Sequence, residues 1–411
     1  MNIVVCITAV LSAAPVQSPP SLPIQYGPWR GWLDSPGGPL PFRLDFHPRG
    51  EGLAGFVTNS RERLAIPQVR TEGDEVILDF DHYDSRIRAR ASEGGMRLDG
   101  EWTRRRGADE WTRMAFHATY GAQPLFDLTH GAAEEAGILS LKGRWEVKFD
   151  SSETPAVAEF VAFEQGWAFG TLMTTGGDYR YLGGEFDGQR LRLSSFDGAH
   201  AFLFHADKQV NGTLKGTFWS ASHWKEGWTA RLNKEAKLPD PFGLTRWTGK
   251  AALEELRFPD LEGKEHSLAD PAFAGKARII ELFGSWCPNC HDAAGLLAEL
   301  EKKYGPRGLR ILGLAFEATG DFERDARLVR IYTSKHNVSY PVLIAGVKDR
   351  DKASAAFPLL DQIRAYPTFI FMDGDGVVRS VYTGFSGPAT ADAYKKLRGE
   401  FESVIEEMLG E

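Results

Sequence analysis

Cysteine is scarce in this chain, with three in 411 residues. A scaffold held together by disulfides would need more, and a chain of this length can bury enough apolar surface to do without them. Cys6 falls inside an N-terminal apolar run, which leaves Cys287 and Cys290 to carry any thiol chemistry. There is no second cysteine pair, so a four-ligand zinc site is not expected, and neither metal nor cofactor is assigned. Long basic runs are also missing, and the net charge is −8. Arg104-Arg105-Arg106, flanked by Glu101 and Asp109, reads as a solvated strand end, and nucleic acid is not an expected partner. Beyond the N-terminus, no apolar stretch approaches the roughly 20 residues that a membrane helix requires.

The first apolar run, Ile3 to Ala14, has about the length of a signal-peptide core and is followed by small residues and Pro15. No Lys or Arg precedes it. Val5 stands before Cys6 where a lipid-attachment site would have a small residue. Residues 1–22 are therefore expected to be a signal peptide, and the protein is expected to be exported, to the periplasm or another extracytoplasmic space.

From about Tyr26 the chain alternates with the β period: Phe42, Leu44 and Phe46 face one way, Arg43, Asp45 and His47 the other. Turn signals recur about every ten residues, and no helical period intervenes. The pattern predicts an antiparallel all-β module over 26–121, either a small barrel or a sandwich. A second module is expected over 138–233, with a linker at 129–137. Leu98-Asp99-Gly100-Glu101-Trp102 is echoed by Leu214-Lys215-Gly216-Thr217-Phe218-Trp219, at an offset close to that of the other echoes, which reads as a tandem duplication. Nine of the eleven tryptophans lie in this half, where they are expected to fill cores and pair strands. His205 and His223 read as isolated, and no acid pair or histidine cluster here stands out as catalytic.

After a polar linker with Pro239 and Pro241, the pattern from Arg246 changes to alternating strands and helices, an α/β arrangement over 246–411. An apolar strand, Ile279 to Phe283, runs through Gly284-Ser285 into Trp286-Cys287-Pro288-Asn289-Cys290, and a helix is predicted from His291 to Tyr304. The thiols thus sit where a buried strand hands over to a helix N-terminus, whose free N–H groups and dipole favour the thiolate that attacks disulfides. Cys290, one turn on, is close enough to close a ring with Cys287.

The order of strand, Trp-Cys-x-x-Cys helix, strand, helix, strand, Tyr366-Pro367-Thr368 strand, hairpin and final helix resembles the thioredoxin fold. More closely it is similar to the TlpA- and ResA-like thiol-disulfide oxidoreductases, over about residues 246–411. The resemblance implies that Cys287 is the exposed nucleophile and Cys290 the resolving thiol. It also implies that Pro367 is the proline that is cis in this fold, with Trp286, Tyr366 and Thr368 beside the incoming substrate. Two departures stand out: Ala293 and Gly295 replace an acid and a proline found in many relatives. Glu281, six residues before Cys287, occupies the place of the buried acid of thioredoxin. Its apolar neighbours should raise its pKa and let it take the Cys290 proton.

Cys287-x-x-Cys290-His291 is also the string that attaches c-type haem, but a haem protein needs neither the preceding buried strand nor a later Tyr-Pro-Thr. A peroxidase of the peroxiredoxin class would carry Pro-x-x-x-Thr-x-x-Cys, which the residues before Cys287 do not match. A third reading makes the pair an inert disulfide in a β-module binding protein. The expectation is an exported dithiol-disulfide oxidoreductase acting on protein thiols and disulfides, recharged by an unidentified redox partner and oriented by its β half.

Overall fold

The computed structural model describes residues 24–50, 52–127, 141–163 and 166–410. The expected signal peptide and the linker at 129–137 lie outside them. The first sheet contains β1 (Gly27–Ser35), β2 (Gly38–Arg49), β3 (Gly52–Asn59), β4 (Glu62–Ala65), β5 (Gln68–Glu72), β6 (Glu75–Phe80), β7 (Ser85–Ser92), β8 (Arg97–Arg105) and β9 (Trp111–Tyr120). Their order is β4-β3-β2-β1-β9-β8-β7-β6-β5, a curled antiparallel sheet whose two edges are not hydrogen-bonded to each other as strands. The second sheet contains β10 (Gly143–Phe149), β11 (Ala156–Ala162), β12 (Trp167–Thr174), β13 (Gly177–Asp178), β14 (Leu182–Phe186), β15 (Arg190–Phe196), β16 (Ala201–Lys208), β17 (Leu214–Ser220) and β18 (Trp224–Leu232). Here β11 also pairs with β12, and the sheet closes into a barrel.

The two sheets correspond in detail. In each, the first strand pairs antiparallel with the last. Trp29 and Trp145 each donate the indole N–H to the carbonyl four residues upstream, Gln25 at 3.1 Å and Leu141 at 3.0 Å. Gly100 faces Ala89, and Gly216 faces Ala206, across the neighbouring strand. A Cβ at Gly100 would lie 2.0 Å from the Arg88 carbonyl oxygen, and one at Gly216 would lie 1.8 Å from that of His205. Strands this close leave no room for a methyl group. Gly216→Ala is therefore expected to cost about 2 kcal/mol or more in a denaturant titration. Gly399→Ala, on a helix where a Cβ meets nothing within 4 Å, should be neutral or slightly stabilising.

The half-barrel does not complete its own core. Its open side takes the turn between β15 and β16 with the adjoining ends of β16 and β17, so that Phe196, Ala199, Ala201, Leu203 and Trp219 join the first sheet's buried cluster. The Phe196 ring stacks on Phe42 at 4.4 Å and stands edge-on to Trp102 and Phe80. Asn59 secures it by donating to the Phe196 carbonyl at 2.7 Å and accepting from its N–H at 3.1 Å. Trp29, Trp102, Trp145, Trp219 and Trp228 are buried in these cores, whereas Trp111, Trp167 and Trp224 are exposed on their strands.

A small hairpin, β19 (Arg257–Pro259) and β20 (Glu265–Ser267), leads into the C-terminal sheet. That sheet holds β21 (Ala277–Phe283), β22 (Leu309–Glu317), β23 (Val342–Val347), β24 (Thr368–Asp373) and β25 (Val378–Thr383), in the order β23-β22-β21-β24-β25. β21 lies in the middle, parallel to β22 and antiparallel to β24, which explains its apolar residues on both faces. The helices are α1 (Pro288–Tyr304), α2 (Phe322–His336), α3 (Arg350–Ala356) and α4 (Asp392–Leu409). α1 begins three residues earlier than predicted, because Pro288 takes its first position, where a missing N–H costs nothing. This is a multidomain chain: an antiparallel β half-barrel and barrel, followed by a thioredoxin-like α/β region. No described helix is long and apolar enough to cross a membrane.

Candidate active site

Two carbonyls and one carboxylate at the end of β22 and in the following loops set the shape of the turn before α1. The buried Glu317 accepts from the Ser285 N–H at 2.7 Å and from its hydroxyl at 2.6 Å. Trp286 donates its indole N–H to the Phe316 carbonyl at 2.8 Å, and its ring meets Tyr366 edge-on. Cys287 follows as the N-cap of α1, with extended backbone angles. Its Sγ–H points to the Tyr366 carbonyl at 3.5 Å, and the Tyr366–Pro367 bond is cis. Cys290 lies one turn into the helix, and both sulfurs are free thiols.

Burial grades the two thiols. Cys290 is fully enclosed, and that burial, reinforced by the neighbouring Cys287, drives its pKa well up. Cys287 is 7% exposed, far less open than the family resemblance implied. Glu281, in the middle of β21, is fully buried. One of its oxygens accepts from the Tyr340 hydroxyl at 3.4 Å, and the other has no partner. Burial, opposed by that hydrogen bond and assisted by the nearby Cys287, lifts its pKa to about 8. Glu317 is raised to about 7, again by burial.

Of the residues singled out from sequence, Cys287, Cys290, Trp286, Tyr366 and Pro367 come together, with Glu281 behind the thiols. Thr368 is fully buried, and its hydroxyl is engaged by the Ala365 carbonyl at 2.9 Å. Neither Thr368 nor Tyr366 lines the cleft in front of Cys287.

Residues 249–381 match the AhpC/TSA family model. The same part of the chain is similar to curated thiol-disulfide oxidoreductases named ResA. That from Bacillus thuringiensis subsp. konkukian is 28% identical over 137 residues, which is 33% of this chain and 70% of the relative. That from Geobacillus thermodenitrificans is 27% identical over 125 residues, 30% of this chain and 63% of the relative. Among solved structures, a thiol:disulfide interchange protein of the thioredoxin family from Chlorobium tepidum is 24% identical. It covers 38% of this chain and 92% of its own, with a TM-score of 0.29. A secreted disulfide oxidoreductase from Mycobacterium tuberculosis is 19% identical, covering 36% and 96%, with a TM-score of 0.27. The C-terminal part is thus an AhpC/TSA-type, thioredoxin-like domain, and its relatives support an oxidoreductase-type activity over that part.

The β half sits directly on the Cys287 end of this AhpC/TSA-type domain, which the sequence did not disclose. Arg104, expected on a solvated strand end, is partly buried and donates to the Trp286 carbonyl at 3.0 Å. Arg180 donates to the Pro288 carbonyl at 3.0 Å and to Asp292 at 2.8 Å, and pairs with Glu62 at 2.5 Å. Asn289 donates to the Asp178 carbonyl at 3.2 Å. Burial works against the Arg180 charge, but Asp292, Glu62 and Asp197 outweigh it and hold its pKa well up. Asp292 keeps a pKa near 6, raised by burial against the pull of Arg180. It stands one position before 293, where the family resemblance led us to look for an acid. Ala293 is packed in the core, and one step along the helix turns the side chain toward the β half.

His223, read from sequence as isolated, lines the same cleft. His291 does not suit haem ligation. It is buried, Nε2–H donates to the Ser285 carbonyl at 2.8 Å, and Nδ1 accepts from His336 Nε2 at 2.6 Å. Rings of Tyr83 and Tyr332 stand against it at 4.7 and 4.8 Å. Burial lowers its pKa well below the usual value, so it stays neutral.

Proposed function

We propose that the chain is a dithiol-disulfide oxidoreductase with Cys287 as the attacking thiol, Cys290 as the resolving thiol and Glu281 as the acceptor of the Cys290 proton. The reading rests on one observation: a thiol at the N-cap of α1 faces a cleft, while its partner, one turn inside, is sealed beside a buried carboxyl. Cys287 sulfur, as thiolate, attacks a substrate disulfide, forming a mixed disulfide and releasing one thiolate. Glu281 then takes the proton of Cys290, whose sulfur attacks that of Cys287 and expels the second substrate thiolate. The Cys287–Cys290 bond forms, and two electrons have passed to the substrate. Trp286 and the Tyr366–Pro367 backbone border the reacting sulfur, and Thr368 holds the loop behind them.

Cys290→Ser is the test. After reaction with a disulfide it should retain one equivalent of mixed disulfide on Cys287, while the native chain releases both halves. Mass spectrometry reads the adduct. A native pair that neither opens nor closes with common dithiols would favour the inert-disulfide reading and sink this one. Export of the chain, with cleavage near residue 22, is part of the same proposal. It rests on the apolar N-terminal segment, and the mass of the mature N-terminus checks it.

A further inference from the structure

The surface that a folded partner would need around Cys287 is already occupied. Trp286 and Pro288 present their carbonyls to Arg104 and Arg180, and the Asn289 side chain bonds the β13 backbone. Gly384, which follows the cis-proline strand pair, packs against the Thr175 carbonyl so closely that a Cβ there would come within 2.5 Å. What is left in front of the sulfur is a cleft of about 440 Å³. Even transient redox encounters between proteins bury up to about 1,200 Å² in total, whereas small-molecule sites are cavities of about 300 to 1,000 Å³.

The cleft has a distinct charge. Arg104, Arg106, Lys348 and Arg350 line it, on a chain whose net charge is −8. Arg104 and Lys348 donate only to carbonyls, of Ala199 and Trp286 and of Arg106 respectively, and Arg104 Nε has no partner. None of the four makes an ion pair with a carboxylate of the described residues. Asp178, the acid that lines the same space, is taken by the N–H groups of Gly387 and Arg180. Asp197, behind it, accepts from the backbone N–H groups of Ala199 and His200, with Arg180 at 3.8 Å and the His200 ring at 3.2 Å from its other oxygen. Burial and the surrounding arginines lower Lys348 to about 8, and His223 to about 4. Positive charge is crowded here, and among the described residues the acids that act on it, Glu110 and Glu317 on Lys348 and Asp197 on Arg104, do so through space and not as ion pairs. Trp102, Phe202 and Trp286 supply apolar wall for a short carbon skeleton.

We propose that this cleft admits a low-molecular-weight anionic disulfide, such as a carboxylated one, to Cys287, and excludes disulfides on the surface of folded proteins. The inference rests on Cys287 being the exchanging thiol. Cys287 sulfur bonds one sulfur of the small disulfide, and the other leaves as an anionic thiolate toward the arginines. Cys290 then displaces the remaining half, so the small disulfide is reduced to two thiols as the protein dithiol is oxidised. Turnover needs an external dithiol as reductant.

The test is a single-turnover series with the reduced full chain, normalising each rate to that of the same disulfide with dithiothreitol. 3,3′-Dithiodipropionate should react about tenfold faster than neutral 2-hydroxyethyl disulfide, and cationic cystamine slower than both. Insulin should be the poorest substrate. In the Arg106→Gln/Arg350→Gln variant the preference for the anion should fall toward unity. Equal normalised rates across the three charges, or insulin reacting as fast as the dianion, would overturn the inference and leave the exchange reading standing. If no disulfide reacts faster than with dithiothreitol, the exchange reading itself fails.

Discussion

Replacing Glu281 by glutamine is expected to make the protein slower and more stable at once. In the native chain the mixed disulfide on Cys287 should decay faster as pH rises through about 8, where Glu281 loses its proton, and then level off. Without the carboxylate, Cys290 must give its proton to water from a pKa that burial holds high. A loss of about 10²-fold in the decay rate is the size expected for a missing general base. The pH profile should lose its inflection near 8 and climb on with hydroxide.

The stability effect has the opposite sign. The ordinary carboxyl value is 4.5, and the folded chain holds Glu281 near 8. Between those values the unfolded chain has released a proton that the folded chain keeps, so rising pH favours unfolding. Glutamine does not titrate. Its advantage should be absent below about pH 4.5, reach roughly 3 kcal/mol at pH 7, and level off above about pH 8. Denaturant titrations at pH 5 and 8 check it. A variant that keeps full resolving rate, or gains no more at pH 8 than at pH 5, would remove Glu281 from the mechanism.

The other large effect is expected at Arg180, the cation that ties both β sheets to α1. Arg180→Met leaves Glu62, Asp197 and Asp292 buried without their shared counter-charge, a loss of about 3–5 kcal/mol. Burial already raises Glu62, and Asp292 to about 6, so acid relieves part of the damage by protonating them. The loss should therefore be smaller at pH 5 than at pH 8. The same variant should alkylate faster at Cys287, because one of the bonds that hold the β half over Pro288 has gone. Unchanged alkylation together with unchanged stability would mean that Arg180 does not clamp the site.

How far the sequence could be read depended on how local each signal was. Trp286-Cys287-x-x-Cys290 and Tyr366-Pro367 were legible because a strand-to-helix turn and an X-Pro step declare themselves within a few residues. Glu281 was legible because a lone acid in an apolar run has to be buried. The antiparallel all-β character of each module followed from its alternation and turn residues, but not that the first is an open half-barrel completed by the second. The cover over Cys287 was not legible, since Arg104, Asp178, Arg180 and His223 reach the thiol domain from far away in the chain. A run of three arginines looks the same whether it faces water or a tryptophan carbonyl. Asp292 was overlooked for a smaller reason: an acid was sought one position later, where Ala293 belongs to the core.

Phe196 has a consequence for how the protein is made. The half-barrel emerges from the ribosome with its seat for this ring vacant, and the ring is about 75 residues further along. Wherever the chain folds, the aromatic-lined hollow stays open to other chains until the second sheet supplies the ring. Aggregation of a chain cut short after the first sheet is the expected cost of a first module that waits for its plug.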